Sequence, residues 1–362
     1  MKFFTAIFLL VICLGIGLFI WQINKSNPAF IYEHIKKYGD TDHAALIIQR
    51  NGETVVEVNA AKPLPLASTV KFIIAISYAQ AAADGRLDAE EPVAVEKLQH
   101  FYIPKTDGGA HQAWLDSLNG ASAVPLKEVA NGMMLYSSNA NTDYLIHRIG
   151  LEQINSTIDD LGFQQHEELY PLVSTLYIPV QIINERGLEK NQLAAALEKM
   201  DKSEYQSRAI QIHKKWLSTP PSQEDIKHIQ QYLTTDVQKV WSDRLPRATA
   251  ADYASLMAKL NRKDYFPPEV HTYLDPITEQ LMQNPQNQSW LQHAGQKGGS
   301  TMFVLTNAMY ATNKEADRTE IVLLTNELSV LEQIKLSRNL NEFQLQVLTD
   351  PQFLEEIQEA FK

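Results

Sequence analysis

Cysteine is almost absent: Cys13 is the only one in 362 residues. That excludes an internal disulfide framework and any zinc site built on several thiolates. The ten histidines show no H-E-x-x-H or similar spacing, so no helical pair of metal ligands is marked. No long basic run exists and the formal net charge is −11, which argues against nucleic acid as a partner. Internal repeats and low-complexity tracts are missing as well. Nor does an A-x-A-like cleavage site close the apolar run at residues 3–21. Leu10-Val11-Ile12-Cys13 is a poor lipidation site, because a bulky isoleucine precedes the cysteine.

The run itself is near the length that spans a bilayer. The expectation is an uncleaved membrane anchor rather than a cleaved signal, with Trp21 at the interface and a polar linker ending at residue 28. Either way, the rest of the chain is expected outside the cytoplasm. Hydrophobic residues make up 44% and charged residues 21%, ordinary values for a chain with a real core. Residues 29–362 are expected to form the globular part.

Its centre is the stretch from Pro65 to Leu87. Residues 69–83 are long enough for a helix, which stops at Asp84-Gly85, where glycine can take the left-handed C′ conformation. Nearly every residue from Val70 to Ala83 is apolar or small, the pattern of a helix buried on all sides. Lys71 is the only charge before Asp84. An unpartnered buried ammonium costs several kcal/mol, so Lys71 must reach the surface or sit in a polar pocket. Ser68 lies one turn earlier on the same face. A serine hydroxyl needs a base to take its proton, and a desolvated lysine near other cations can be that base. The alternative is a helix-capping serine beside a snorkelling lysine.

Around this helix the chain reads as α+β. Two β-rich runs joined at Asn51-Gly52 form a hairpin. Residues 125–135 have helical spacing and lead into the polar patch Tyr136-Ser137-Ser138-Asn139. Residues 179–243 are charged, rich in Gln and Lys and helical in pattern (192–200, 205–216, 224–241), and are read as an inserted helical subdomain. Helices follow at 249–260 and 269–282, strands at 301–311 and 318–325, and an amphipathic helix at 351–362. Early strands and late strands imply an antiparallel sheet joining the two ends of the chain, flanked by helices.

Two more polar clusters stand out. Ser137-x-Asn139 interrupts an apolar helical context; its simplest role is a capped helix–helix turn, but a second serine can also relay a proton and an Asn can hold a substrate amide. Lys297-Gly298-Gly299-Ser300 opens a strand, and its paired glycines allow another backbone or a ligand to come close. In this order and spacing the three clusters resemble the S-x-x-K, S-D-N and K-T-G motifs of the serine β-lactamase and penicillin-binding protein superfamily, closest to class A. The resemblance implies that Ser68 is the acyl-forming nucleophile and Lys71 its base. It makes Ser137 the proton relay, and places Asn139, Lys297, Gly299 and Ser300 in substrate binding. The oxyanion would lie between the backbone N–H groups of Ser68 and Ser300. The substrate would be a β-lactam or a related amide or ester, with no cofactor.

The match is incomplete. Ser138 replaces the Asp of S-D-N, and Gly298 replaces the hydroxyl residue of K-T-G. Asn307 stands where the family has an arginine for the substrate carboxylate. Tyr170-Pro171 stands where class A enzymes have a Glu before Pro for deacylation, with Glu167 and Glu168 close by. Tyr102 is a candidate for the cleft mouth or for a packed loop. These changes keep three alternatives open: a D-alanyl carboxypeptidase-like activity, an esterase on cell-envelope material, and a non-catalytic sensor or scaffold.

Overall fold

A computed structural model describes residues 26–362. The expected anchor at residues 3–21 lies outside them. Among the described residues no helix is long and apolar enough to cross a membrane.

The framework is a five-stranded antiparallel sheet. It is built from β1 (Ala44–Arg50), β2 (Glu53–Val58), β3 (Leu291–Ser300), β4 (Leu305–Asn313) and β5 (Arg318–Thr325), in the order β2-β1-β5-β4-β3. The first and last parts of the chain therefore meet at β1–β5, with Ile47 opposite Val322. Asn51 and Gly52 both take positive φ (53° and 86°), as the tight turn between β1 and β2 requires.

Strand side chains alternate between two cores. Ala45, Ile47, Ala308, Tyr310, Val322 and Leu324 face the larger, helical core. Leu46, Ile48, Met309, Ala311, Ile321 and Leu323 face a second core. That second core is closed by α1 (Ala29–Tyr38) and by the two C-terminal helices. The larger core holds α2 (Lys71–Ala83), in which eleven of thirteen residues are buried. Also on this side are α3 (Leu126–Leu135), α4 (Asn139–Ile149), α5 (Thr235–Asp243) and α6 (Ala250–Arg262).

Several boundaries differ from the sequence reading, each for a physical reason. Ser68 lies in a 3₁₀ turn, Ala67–Val70, that precedes α2. Lys297-Gly298-Gly299-Ser300 ends a strand instead of opening one, because β3 begins six residues before Lys297 and its glycines hide the alternation. The expected helix at 224–241 is two helices, Gln223–Tyr232 and Thr235–Asp243; the Thr234 hydroxyl accepts from Val237 N–H and starts the second. The 20-residue helix α7 (Val330–Thr349) carries no counterpart among the sequence expectations. A capping box of Ser329 and Glu332 starts it, and Asp350 caps the final helix α8 (Pro351–Ala360).

Candidate active site

The site forms where the Ser68 turn meets the end of β3 and the start of α4. Thr69 Oγ1 and Thr306 Oγ1 are 2.7 Å apart, and Thr306 Oγ1 donates to the Leu66 carbonyl at 2.8 Å. These buried hydroxyls tie the serine turn to the β3–β4 pair. The approach is very close: a Cβ on Gly299 would stand 2.4 Å from the Ser68 nitrogen and 2.9 Å from Ala67 Cβ. Only glycine fits there. Ala67, just before the serine, has φ of 44°, a left-handed conformation unusual for a side chain with a Cβ.

Lys71, three residues after Ser68, is fully buried. Its Nζ donates to the Ser137 carbonyl (2.7 Å), to Asn139 Oδ1 (2.9 Å) and to Ser137 Oγ (3.2 Å). These partners answer the question of how the helix tolerates its one charge. Burial, and then the nearby ammonium of Lys297, push the Lys71 pKa well below its ordinary value. Lys297 reaches in from β3, where its Nζ donates to Ser137 Oγ at 3.0 Å and to the Gly298 carbonyl at 2.9 Å. Burial lowers its pKa to about 8. The Ser137 hydroxyl thus sits between two amines. Ser137 itself takes φ of 66°, which turns the chain sharply between α3 and α4.

Ser138 is buried behind this turn. Its Oγ accepts from Asn141 N–H as the α4 cap and lies 2.8 Å from His111 Nδ1. His111 is fully buried, and burial lowers its pKa to about 4. A neutral serine–histidine pair therefore supports the turn where the family has an aspartate.

Ser68, Ser137, Asn139, Lys297, Gly299 and Ser300 all line one cleft of about 740 Å³. Lys71 does not line it but donates to Ser137 and Asn139, which do. The fourth wall comes from α5 and the residues after it, through Gln238, Trp241, Ser242 and Leu245. Trp241 is held by its Nε1–H donating to Thr175 Oγ1 at 2.8 Å. Gln230 Nε2 donates to the Pro104 carbonyl at 2.8 Å, which ties the helical stretch to the loop on the opposite rim.

Other expected residues lie elsewhere. The Tyr170 side chain is buried, and its hydroxyl donates to the Arg244 carbonyl. Glu167 pairs with Lys202 and accepts from the Arg247 N–H at 2.9 Å. Glu168 lines a separate surface depression with Glu152 and Asp159. None of the three lines the Ser68 cleft; the loop offers it Leu172 instead. Asn307 turns toward α7, where Gln344 Nε2 donates to its Oδ1 at 2.7 Å. A Cβ on Gly298 would meet its neighbours at 3.5 Å, so the missing hydroxyl there is not imposed by crowding. Tyr102 packs against His111, with ring centroids 4.6 Å apart, and does not line the cleft.

Asp143 was not marked by sequence reasoning, although it lies one helical turn after Asn139. It is fully buried, and its two oxygens accept from the N–H groups of Leu172 and Val173, both at 3.0 Å. Burial pushes its pKa up to about 7 against those hydrogen bonds. His213 Nδ1 lies 3.9 Å from its Oδ2. Among the described residues no cluster of three or more metal-ligating side chains occurs.

A sequence model of the beta-lactamase enzyme family matches residues 29–294. No curated protein matches the chain. Solved structures do. A beta-lactamase from Chitinophaga pinensis superposes with a TM-score of 0.53 at 12% identity, covering 86% of this chain and 98% of that one. A beta-lactamase from Sphaerobacter thermophilus gives 0.53 at 16% identity, covering 90% and 98%. The TLA-3 extended-spectrum beta-lactamase gives 0.53 at 12% identity, covering 89% and 100%. At these identities the likeness is one of fold.

Proposed function

The chain belongs to the beta-lactamase enzyme family, and on that premise we propose that it is a serine hydrolase working through an acyl-enzyme on Ser68. The observation that carries this reading is the Ser137 hydroxyl held between two lowered-pKa amines, 3.2 Å from Lys71 and 3.0 Å from Lys297. Neutral Lys71 takes the Ser68 proton as Oγ attacks the substrate carbonyl carbon. The negative charge that develops on the carbonyl oxygen is met by the N–H groups of Ser68 and Ser300; losing one such donor costs about 10²–10³ in rate. Ser137 then protonates the leaving nitrogen or oxygen as its bond to carbon breaks, and recovers a proton from the Lys71 ammonium. Lys297 keeps this end of the cleft positive. The substrate is a β-lactam or a related amide or ester.

Hydrolysis of the acyl-enzyme needs a base for water. The 167–173 loop sends Leu172, not a carboxylate, to the cleft. That favours a second reading within the same chemistry: a D-alanyl carboxypeptidase-like or esterase activity on cell-envelope material, with a long-lived acyl-enzyme. We read 29–362 as one domain with 179–243 inserted so as to complete the cleft wall, and the apolar run at 3–21 as an anchor that displays it outside the cytoplasm. Release of the full-length protein from membranes by alkaline carbonate would contradict the anchor.

The test is to incubate the protein with a fluorescent penicillin and, separately, with a chromogenic cephalosporin. Stable labelling that is lost in Ser68→Ala supports acylation with slow release. Rapid turnover identifies a lactamase. No labelling together with no ester hydrolysis leaves a non-catalytic scaffold.

A further inference from the structure

The cleft changes character past Ser300. From the Ser68 end it is polar. At the β3–β4 turn its lining takes in Met302, Leu305, Val330 and Leu340, with Gln333 and two threonines beside them. The Leu328 N–H donates to the Phe303 carbonyl at 3.0 Å, which seats the start of α7 beside that turn. Seven large apolar side chains stand out as exposed among the described residues; Met302 (37%) and Val330 (54%) line this part of the cleft, and Leu331 (57%) and Ile334 (46%) follow Val330 on the first turn and a half of α7. Exposed apolar side chains are ordinary when scattered; here two of them line one cleft. The charges next to the turn are paired with one another: Lys239, 5.8 Å over the Phe303 ring, donates to Asp243 (2.6 Å) and Glu327 (2.7 Å). Asn307, at the position where an arginine would serve a substrate carboxylate, turns away to Gln344.

Direction follows from the site. Ser137 and Lys297 mark the leaving-group end, and the Ser300 N–H marks the carbonyl oxygen. β3 carries Lys297 and Ser300 and runs on into the turn that holds Met302, and Met302 and Val330 line the same cleft as Ser68, on the side away from Ser137 and Lys297 along the chain. We propose that the Met302–Val330 corner is a subsite for a saturated acyl chain, so that the substrate is a lipophilic acyl ester or amide rather than a small polar one. This rests on the acyl-enzyme reading and names its substrate class.

Each buried methylene adds a few-fold in affinity. With the full-length protein and p-nitrophenyl acetate, butanoate and octanoate, kcat/KM should rise at least tenfold from acetate to octanoate. In the double variant Met302→Glu/Val330→Glu the octanoate-to-acetate ratio should fall at least tenfold. An inert probe, dansyl-decylamine, should bind Ser68→Ala and bind at least tenfold more weakly when the two glutamates are added. An unchanged chain-length profile and unchanged probe binding in the double variant overturn the subsite, while ester turnover dependent on Ser68 leaves the acyl-enzyme reading standing. If Ser68 accepts no acyl group from any ester or penicillin but the probe still binds in a Met302- and Val330-dependent way, the subsite stands and the acyl-enzyme reading fails.

Discussion

Two walls flank the same serine and are built in opposite ways. In the wall of Lys71, Ser137, Asn139 and Lys297, the amines from α2 and β3 converge on the Ser137 hydroxyl of the α3–α4 turn, and Lys71 also donates to Asn139. In the 167–173 loop the polar side chains turn away from the cleft. Tyr170 bonds to Arg244, Glu167 pairs with Lys202, and only Leu172 lines the cleft. The loop is no less ordered, since Asp143 holds two of its N–H groups at 3.0 Å. On the proposed acyl-enzyme reading, the contrast separates two steps: acylation would draw on the converging wall, and deacylation would need a base on the other.

The largest expected effect comes from breaking the converging wall. Gly299→Ala puts a Cβ 2.4 Å from the Ser68 nitrogen, so the serine turn or the strand must move. Acylation by penicillin should fall by about 10²–10³, the scale of a lost oxyanion donor, and rapid-mixing label kinetics will read it. Next is the anchor of the opposite wall. Asp143→Ala leaves two buried N–H groups without their acceptor, a loss partly offset because burying the carboxylate is itself unfavourable. Roughly 2 kcal/mol of stability should disappear, measurable by urea unfolding. A smaller effect converts one wall toward the other. Leu172→Glu sets a carboxylate at the cleft and should speed deacylation about tenfold, at the low end of a general base's contribution; release of label from the acyl-enzyme checks it. The smallest is a pH effect on the converging wall. The Lys297 charge is present below about pH 8 and is lost above it. The acylation rate should therefore fall about threefold between about pH 7 and pH 9, short of the roughly tenfold over that interval expected if its charge were essential.

Much of the converging wall was legible because each motif carries a local signature. Lys71 is conspicuous in an apolar helix, Ser137 breaks a helical pattern, and Gly298-Gly299 are unusual in a strand. The sheet was legible too, from the Asn51-Gly52 turn and the β-branched runs near each end. That Tyr170, Glu167 and Asn307 turn away from the cleft was not, because their side-chain directions are set by partners far away in the chain, here Arg244, Lys202 and Gln344. Helix α7 escaped for a different reason. Val330, Leu331 and Ile334 put apolar residues on its outer face and blur the helical period. Its S-x-x-E start at Ser329 and Glu332 was the available signal.

The most direct test is intact-protein mass spectrometry of the chain after mixing with penicillin, followed over time. The converging wall predicts one covalent adduct, absent in Ser68→Ala, and the carboxylate-free loop wall predicts that it persists for many minutes. A chain that never gains the adduct while the free penicillin stays intact, or one that sheds it within seconds, contradicts the account.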